Sequence, residues 1–587
     1  MQLDVSVVTY NSDKWLENFF QSLLNQSYPC HLIHLYLRDH QSTDATLATL
    51  EKFVTEKAKF FASVHLEAGE NLGFGAGHNA NVFQGKSEFI LVSNVDLELE
   101  ADSLVQAIAA AKKDEAKVAC WEFRQKPQEH PKVYHPASLE TAWCSSACIL
   151  FRRSAFIAVQ GYDPRIFMYG EDVDLSYRLR DQGYLLKYCP QAVCWHYTYL
   201  NPAKNHTLQR QGSVLANFYL RLRFGNTQQI LTLLKLFLRL LIQQPGWALA
   251  GLLPEFLKNV RYFVKTRKKS KLYYEFCGFN YSQHRDVAYF YSKSSKAKKE
   301  LPLVTVITRT YQGRKGFLRE ALQSLLNQTY PNIQVIVVED GSRTAEALVA
   351  DFKKLTSTMQ FAYFSLPKAG RVAAANYGLA QAEGEYLAFL DDDDLLYAEH
   401  IEVLVDKLLA ESQYAAVYGL AFEVKTSLES LEPLRYREAP YQKIHEKSFS
   451  LLELFQTNYL PIQAVLFRKS LYESYGGMDP SLEVLEDWNL WLRYAAHQPF
   501  LLVPKLTSLY RVPQIKAERF KRHEVFRKYY PAVLEKNAKI LVSLPFSEVS
   551  EFMAQKAVSL LIKKIRARLA RISCLKRIYT LFLKLKS

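Results

Sequence analysis

Phe20-Gln-Ser-Leu-Leu-Asn-Gln-Ser-Tyr-Pro29 returns almost unchanged as Leu322-Gln-Ser-Leu-Leu-Asn-Gln-Thr-Tyr-Pro331. A single return at so long a spacing implies a duplicated domain rather than a solenoid. Each copy follows an apolar, β-branched run, Val5-Ser-Val-Val-Thr9 and Val304-Thr-Val-Ile-Thr308, and each ends in a Tyr-Pro that stops a helix. A second strand then delivers an aspartate, Leu35-Tyr-Leu-Arg-Asp39 in one copy and Val335-Ile-Val-Val-Glu-Asp340 in the other. Short apolar strands alternating with amphipathic helices predict parallel βαβ units and an α/β fold class.

The parallel continues in the same order. Asn71-Leu-Gly-Phe-Gly-Ala-Gly-His-Asn79 and Gly370-Arg-Val-Ala-Ala-Ala-Asn-Tyr-Gly378 occupy matching places, where glycine permits a tight turn and close backbone approach. Third strands reach acids at Phe89-Ile-Leu-Val-Ser-Asn-Val-Asp96 and at Tyr386-Leu-Ala-Phe-Leu-Asp-Asp-Asp-Asp394. The turns Gly161-Tyr-Asp-Pro164 and Gly477-Met-Asp-Pro480 precede the acidic helix starts Gly170-Glu-Asp-Val-Asp174 and Leu485-Glu-Asp-Trp488.

Bulk properties agree with two domains and a connector. The chain has 587 residues, 49% of them hydrophobic, which is too long for one core and too apolar for disorder. The boundaries expected are 1–225 and 301–530 for the two domains, 226–300 for a basic helical linker and 531–587 for a basic tail. Within the linker, Leu231 to Leu253 is interrupted by Lys235, Arg239, Gln243, Gln244 and Pro245, so it does not read as a membrane span. The basic run Lys265-Thr-Arg-Lys-Lys-Ser-Lys271 follows it.

The net charge of +15 directs attention to polyanions and membrane surfaces. Ten Lys or Arg and no acid lie between Phe552 and Ser587, where Ile565, Leu569, Ile572, Tyr579 and Phe582 fall near one helical face. That is the pattern of a helix resting on an anionic bilayer, although a terminal helix packed on its own protein shows it too. Nucleic acid is disfavoured, since no binding fold accompanies the charge. The 8 cysteines form no short-range disulfide framework, and the start Met1-Gln-Leu-Asp-Val-Ser-Val-Val8 runs straight into a strand. Both fit a reducing cytoplasm. Cys144, Cys148, Cys189 and Cys194 do not match zinc-ligand spacing and are expected to be buried thiols.

Carboxylates at strand ends suit a hard divalent cation bridging a diphosphate. Asp391 and Asp393 have the required spacing, and strand alternation predicts that they point the same way; the first copy offers Asn94 and Asp96. Asp172 and Asp487, beside glutamates at helix starts, are the candidate bases for an acceptor hydroxyl. Asp39 and Asp340, after second strands, are placed for a base or ribose.

In all of these residues both halves resemble family 2 glycosyltransferases of the GT-A fold. The resemblance rests on Val-Val-Thr-Tyr-Asn11, the repeated Leu-Leu-Asn-Gln motif, Asp39, Asn94-Val-Asp96, Glu171-Asp172, Glu-Asp-Gly341, the four aspartates ending at Asp394, and Glu486-Asp487. It implies inverting transfer from a nucleotide-diphospho-sugar to a glycan or lipid-linked glycan, with a divalent metal (Mg or Mn). It places Asp39, Asn79, Asn94, Asp340, Arg371, Asp391 and Arg511 at the nucleotide-sugar, Asp96 and Asp393 at the metal, and Asp172 and Asp487 as bases. The first half is similar to rhamnosyltransferase-like members, whose histidine after the base is matched by His196 near metal or diphosphate. The second half offers Leu509-Tyr-Arg511 there instead. Two sites imply two transfers, with the basic helices on the inner face of the cell membrane. One catalytic half beside a binding or scaffolding half, or a sugar nucleotidyltransferase, are the competing readings.

Overall fold

A computed structural model describes residues 1–197, 207–268, 270, 272–281, 283–285, 289–292, 301–443 and 446–569. The chain builds two sheets of the same plan. In the first half the strands are β1 (Leu3–Thr9), β2 (Ile33–Asp39), β3 (Ser63–Ala68), β4 (Phe89–Ser93), β5 (Leu97–Leu99), β6 (Val118–Lys126), β7 (Cys148–Arg152) and β8 (Leu185–His196). In the second they are β9 (Val304–Tyr311), β10 (Ile333–Asp340), β11 (Gln360–Leu366), β12 (Tyr386–Phe389), β13 (Leu395–Leu396), β14 (Ala416–Leu431), β15 (Leu434–Glu438), β16 (Gln442–Lys443), β17 (Val465–Arg468) and β18 (Phe500–Pro513).

The sheet orders are β3-β2-β1-β4-β7-β6-β8-β5 and β11-β10-β9-β12-β17-β14-β18-β13, with β15 and β16 added on β14. β1, β2, β3 and β4 run parallel, as do β9, β10, β11 and β12, while β7 and β17 are antiparallel to their neighbours. Helices such as Asp13–Leu24 and Lys315–Leu326 cover the sheets, so the first strands are buried on both faces, with Asp4 and Ser6 of β1 and Thr305 and Thr308 of β9 among the buried residues.

The repeated decapeptide is a bracket for the acidic turn. Gln26 Nε2 donates to the carbonyls of Ser22 (3.1 Å) and Glu100 (2.9 Å), and its Oε1 accepts from Leu104 N. Gln328 does the same with Ser324, Tyr397 and Ile401 N. Ser22 Oγ and Ser324 Oγ accept from Leu99 N and Leu396 N, so one helix end fixes the short strand that follows the acids in each half.

A second tie recurs. Asn79 Nδ2 donates to Tyr162 O (2.8 Å) and its Oδ1 accepts from Tyr162 N (2.9 Å); Asn376 brackets Met478 in the same way. The preceding glycines make room for it: a Cβ on Gly161 or Gly477 would fall 2.3 or 2.4 Å from the asparagine oxygen. Gly161 also has φ 66°, a region that L side chains avoid. Gly161→Ala is therefore expected to lower stability by about 1–3 kcal/mol, measurable in a denaturant titration of the full chain.

After β8 the chain is helical at Thr207–Phe224, Thr227–Gln243 and Leu253–Lys265. After β18 come the helices Lys516–Asn537 and Phe546–Leu569. The basic tail from 570 onward, with Arg571, Ile572, Lys576, Arg577, Tyr579 and Phe582, lies outside the described residues.

The halves meet through buried charge. Lys505 Nζ lies 2.6 Å from Glu129 Oε2 and Arg124 lies 2.7 Å from Glu402; Arg285 pairs with Glu399, and Tyr134 OH donates to Glu399 at 3.1 Å. Around this cluster Tyr134, Ala137 and Tyr188 of the first half pack with Leu395, Tyr397 and Phe422 of the second. Asn327 of the repeated motif donates to Pro136 O and Ala137 O (2.8 and 2.9 Å), a contact made in one direction only. Cys144, Cys148, Cys189 and Cys194 are buried free thiols, as their spacing predicts.

Candidate active site

In the second half the carboxylates gather where β9, β10 and β12 end. The four aspartates form a tight turn, Asp394 N donating to Asp391 O at 3.1 Å, and not a continuing strand; strand alternation is therefore not what directs them. Arg309, at the end of β9, grips Asp391 with two hydrogen bonds (2.7 and 2.6 Å) and reaches Glu486 at 2.9 Å. Arg371 holds the other Glu486 oxygen at 2.8 Å. Arg314 bridges Asp392 (2.8 Å) and Asp393 (2.6 Å). Asp391, Asp392, Asp393, Asp340 and the three arginines line one cleft of about 380 Å³.

The electrostatics sort the acids. Burial opposes ionisation of Asp391, but the charge of Arg309 outweighs it and holds the carboxyl below its ordinary value. Burial and the charge of Asp393 push Asp392 up to about 6, and burial raises the enclosed Asp394 as well. Asp393 keeps the most solvent contact of the four, with its side chain 37% exposed.

Asp487 opens the helix Glu486–Ala495, whose entry residue Leu485 has φ 61° where the first half has Gly170 at φ 91°. Its Oδ2 accepts from Asn458 Nδ2 at 2.9 Å. Burial, then the charge of Glu486, lifts its carboxyl to about 6. Such a group is ionised at neutral pH yet binds a proton well, which suits a general base.

The first half repeats the scaffold with other side chains. Asp96 Oδ2 lies 3.2 Å from His196 Nε2, an adjacency made by the β5–β8 pairing of Leu97 with His196; Gln125 holds His196 Nδ1 at 3.0 Å. Burial opposes ionisation of Asp96, and His196 outweighs it, leaving the carboxyl below its ordinary value. Asp172 accepts from Val173 N (2.8 Å) and Ser146 N (3.3 Å), and burial raises it. Among the described residues one Glu171 oxygen has no hydrogen-bond partner, and its carboxyl is pushed well up by burial and by Asp172. Its counterpart Glu486 has two arginines.

Strand register corrects one sequence-based equivalence. Asp39 pairs with Thr9 and Glu339 with Thr310, so Asp39 matches Glu339, and His40 stands where the second half has Asp340. Asp39 and Glu339 both tie loops: Asp39 accepts from Thr9 Oγ1, Ser42 N and Ser42 Oγ, and Glu339 from Thr344 and Ala345 N. Asp340 Oδ1 accepts from Ala369 N at 2.7 Å. Arg511 does not line the cleft; it is buried against Glu320 (2.7 Å) and Glu438 (3.2 Å), touching Asp393 only at its carbonyl. Asn79 is occupied by Tyr162, whereas Asn94, half-buried, adjoins Asp96.

Arg309 and Arg314 were not singled out by sequence reasoning. The signal for Arg309 was an arginine inside a buried strand, a position that costs free energy unless an acid faces it; Arg314, just ahead of the helix Lys315–Leu326, carried no such signal.

A divalent cation fits these donors. Among the described residues no group of three or more His, Cys, Asp or Glu side chains converges. Each half instead offers a sparse pair, Asp96 with His196 and Asp393 beside Asp391, which would leave most of a divalent ion's positions to ligands from outside the protein.

Sequence comparison matches residues 4–173 and 305–476 to Glycosyl transferase family 2. An uncharacterized glycosyltransferase of Rickettsia typhi is 33% identical over 199 residues, covering 33% of this chain and 58% of its own. The N-acetylglucosaminyl-diphospho-decaprenol L-rhamnosyltransferase of Mycobacterium tuberculosis is 28% identical over 242 residues, 33% of this chain and 76% of that protein. The chain thus spans little more than half the length of the Rickettsia relative. Among solved structures, Staphylococcus aureus TarS 1-349 with UDP aligns at 21% identity and TM-score 0.29, over 36% of this chain and 60% of that one. The Pyrobaculum calidifontis mannosyltransferase PcManGT with GDP-Man and Mn2+ aligns at 17% and 0.32, over 44% and 75%. With the family matched in both halves, and both sheets of one plan, the chain belongs to Glycosyl transferase family 2 and carries two GT-A domains in tandem.

Proposed function

We propose that the protein transfers sugars from nucleotide-diphospho-sugars to a growing glycan, each half serving one transfer with inversion. The observation that carries this reading is the chain Asp391–Arg309–Glu486–Arg371, which joins the strand-end acids to the helix start bearing Asp487. Donor and base are thereby held by one ionic framework. In each half, the acceptor hydroxyl attacks the anomeric carbon as the bond to the diphosphate oxygen breaks on the opposite side. Asp487, or Asp172 in the first half, takes the hydroxyl proton. Asp340 and Arg371 orient the nucleotide-diphosphate in the second cleft, and Asn94 takes that part in the first half.

Asp393 in the second half and Asp96 with His196 in the first would hold Mg or Mn, which would neutralise charge on the leaving diphosphate. The acceptor is a lipid-linked or surface glycan, reached from the inner face of the cell membrane.

The first half differs enough to support a second reading, a binding module. Asn94 replaces Asp391, and among the described residues no arginine pairs with Glu171 as Arg309 and Arg371 do with Glu486. Assay of Asp172→Asn and Asp487→Asn across a donor screen, with mass spectrometry of the product, separates the two. Loss of a different transfer in each variant is the expected result; retention of both transfers in each would sink the two-site reading.

The sign of the pH dependence follows from Asp487. Its carboxyl is raised to about 6, so below that pH it is protonated and cannot accept the hydroxyl proton. Transfer at the second site is expected to fall about tenfold per pH unit on the acid side and to level off above about pH 7, in a kcat profile at saturating donor.

A further inference from the structure

The helix Thr227–Gln243 is apolar on two sides. Its inner side, with Leu236 and Leu240, packs on Val214, Phe218 and Leu252. Its outer side carries Leu231, Leu234, Leu238 and Ile242, exposed at 62%, 57%, 47% and 83%. Spacings of three and four residues put those four on one stripe. A helix bordered only by water carries polar residues there, so the row calls for a partner.

The surrounding charge identifies that partner. Lys235 and Arg239, both exposed, run along one edge of the stripe. On the next helix, Leu253–Lys265, Leu257 and Val264 are exposed with Lys258, Arg261 and Lys265 around them. From 226 to 268 seven Lys or Arg stand against one acid, Glu255, which Lys258 pairs at 2.5 Å. No helix among the described residues is long and apolar enough to cross a membrane.

We propose that the outer face of Thr227–Gln243, with the exposed side of Leu253–Lys265, docks on an anionic phospholipid bilayer. The leucine row lies among the upper acyl carbons, and the flanking ammonium and guanidinium groups meet phosphate headgroups. The surface lies in the connector between the two domains, apart from the tail. It deepens the membrane side of the proposed function and rests on that reading only for the acceptor's location; the transfer chemistry is separate from it.

The test uses the full chain in co-sedimentation with phosphatidylcholine vesicles and with phosphatidylcholine–phosphatidylglycerol vesicles. Wild-type protein is expected to bind the mixed vesicles and to gain hydrogen-exchange protection across 227–243. Leu234→Ser, Leu238→Ser and Ile242→Ser combined should weaken binding by about tenfold or more. Lys235→Glu with Arg239→Glu, which leaves the apolar row intact, should weaken it on the anionic vesicles in a salt-dependent way. Donor turnover on a soluble acceptor should be unchanged in both. Equal binding by wild type and either variant overturns the proposal. So does protection of 227–243 by self-association, seen as a dimer in light scattering that the triple variant converts to monomer. Vesicle binding without any donor turnover would instead count against the transferase reading and leave the docking surface standing.

Discussion

Asp487→Asn is expected to lower transfer at the second site by about 10²–10⁴-fold, the range that positioned general bases contribute. The change is nearly isosteric. It keeps a side-chain oxygen to accept from Asn458 Nδ2, while removing a charge that is buried beside Glu486. Stability should therefore hold or rise slightly, since the carboxylate is the costly form there. The loss belongs in kcat with donor KM little changed, because Asp340, Arg309 and Arg371 remain on the cleft. Steady-state kinetics at about pH 8, where wild-type Asp487 is ionised, checks this. The acid limb of the pH profile should disappear with the carboxyl. An unchanged kcat would remove Asp487 from the chemistry.

The second large effect concerns the joint between the halves. Glu129 lies 2.6 Å from Lys505, 3.6 Å from Arg124 and 3.7 Å from Arg285, and it accepts from Tyr188 OH; none of these ionic side chains is more than 5% exposed. Burial opposes its ionisation, but those three cations outweigh it and hold the carboxyl far below its ordinary value. Glu129→Gln keeps the shape and strands buried positive charge, so a loss of about 3–5 kcal/mol is expected. A denaturant titration measures it. Adding Lys505→Met should recover part of the loss, since one unpaired cation goes with it; a double-mutant cycle with no coupling would show that the cluster does not act as a unit.

Much of the architecture was legible in the repeat. Landmarks returning in the same order pointed to two α/β domains with acids at matching strand ends, and the sheet orders agree. The helix starts at Glu171 and Glu486 fall where the sequence puts them. What escaped was pairwise geometry. Asp39 was equated with Asp340 because both close a second strand, but register depends on the partner strand, and Thr9 and Thr310 assign Asp39 to Glu339. Arg511 was placed at the nucleotide-sugar because Leu509-Tyr-Arg511 stands where the first half has Trp195-His196. Its side chain instead finds Glu320 and Glu438, carried by elements that local sequence does not join to it. Arg309 and Arg314 passed unnoticed for the converse reason: their role is set by Asp391, Asp392 and Glu486, each distant in sequence.

The identical plan of the two sheets also bears on how the chain reaches its native state. Twin sheets of one order invite exchange, in which a strand from one copy completes the sheet of the other. During synthesis the hazard is limited, because β8 finishes the first sheet at His196, well before β9 begins at Val304. A nascent first half can close before its twin exists. Refolding from denaturant removes that head start, and there the one-way contacts of Asn327 and the buried charge cluster are what distinguish the correct pairing of halves from a swapped one.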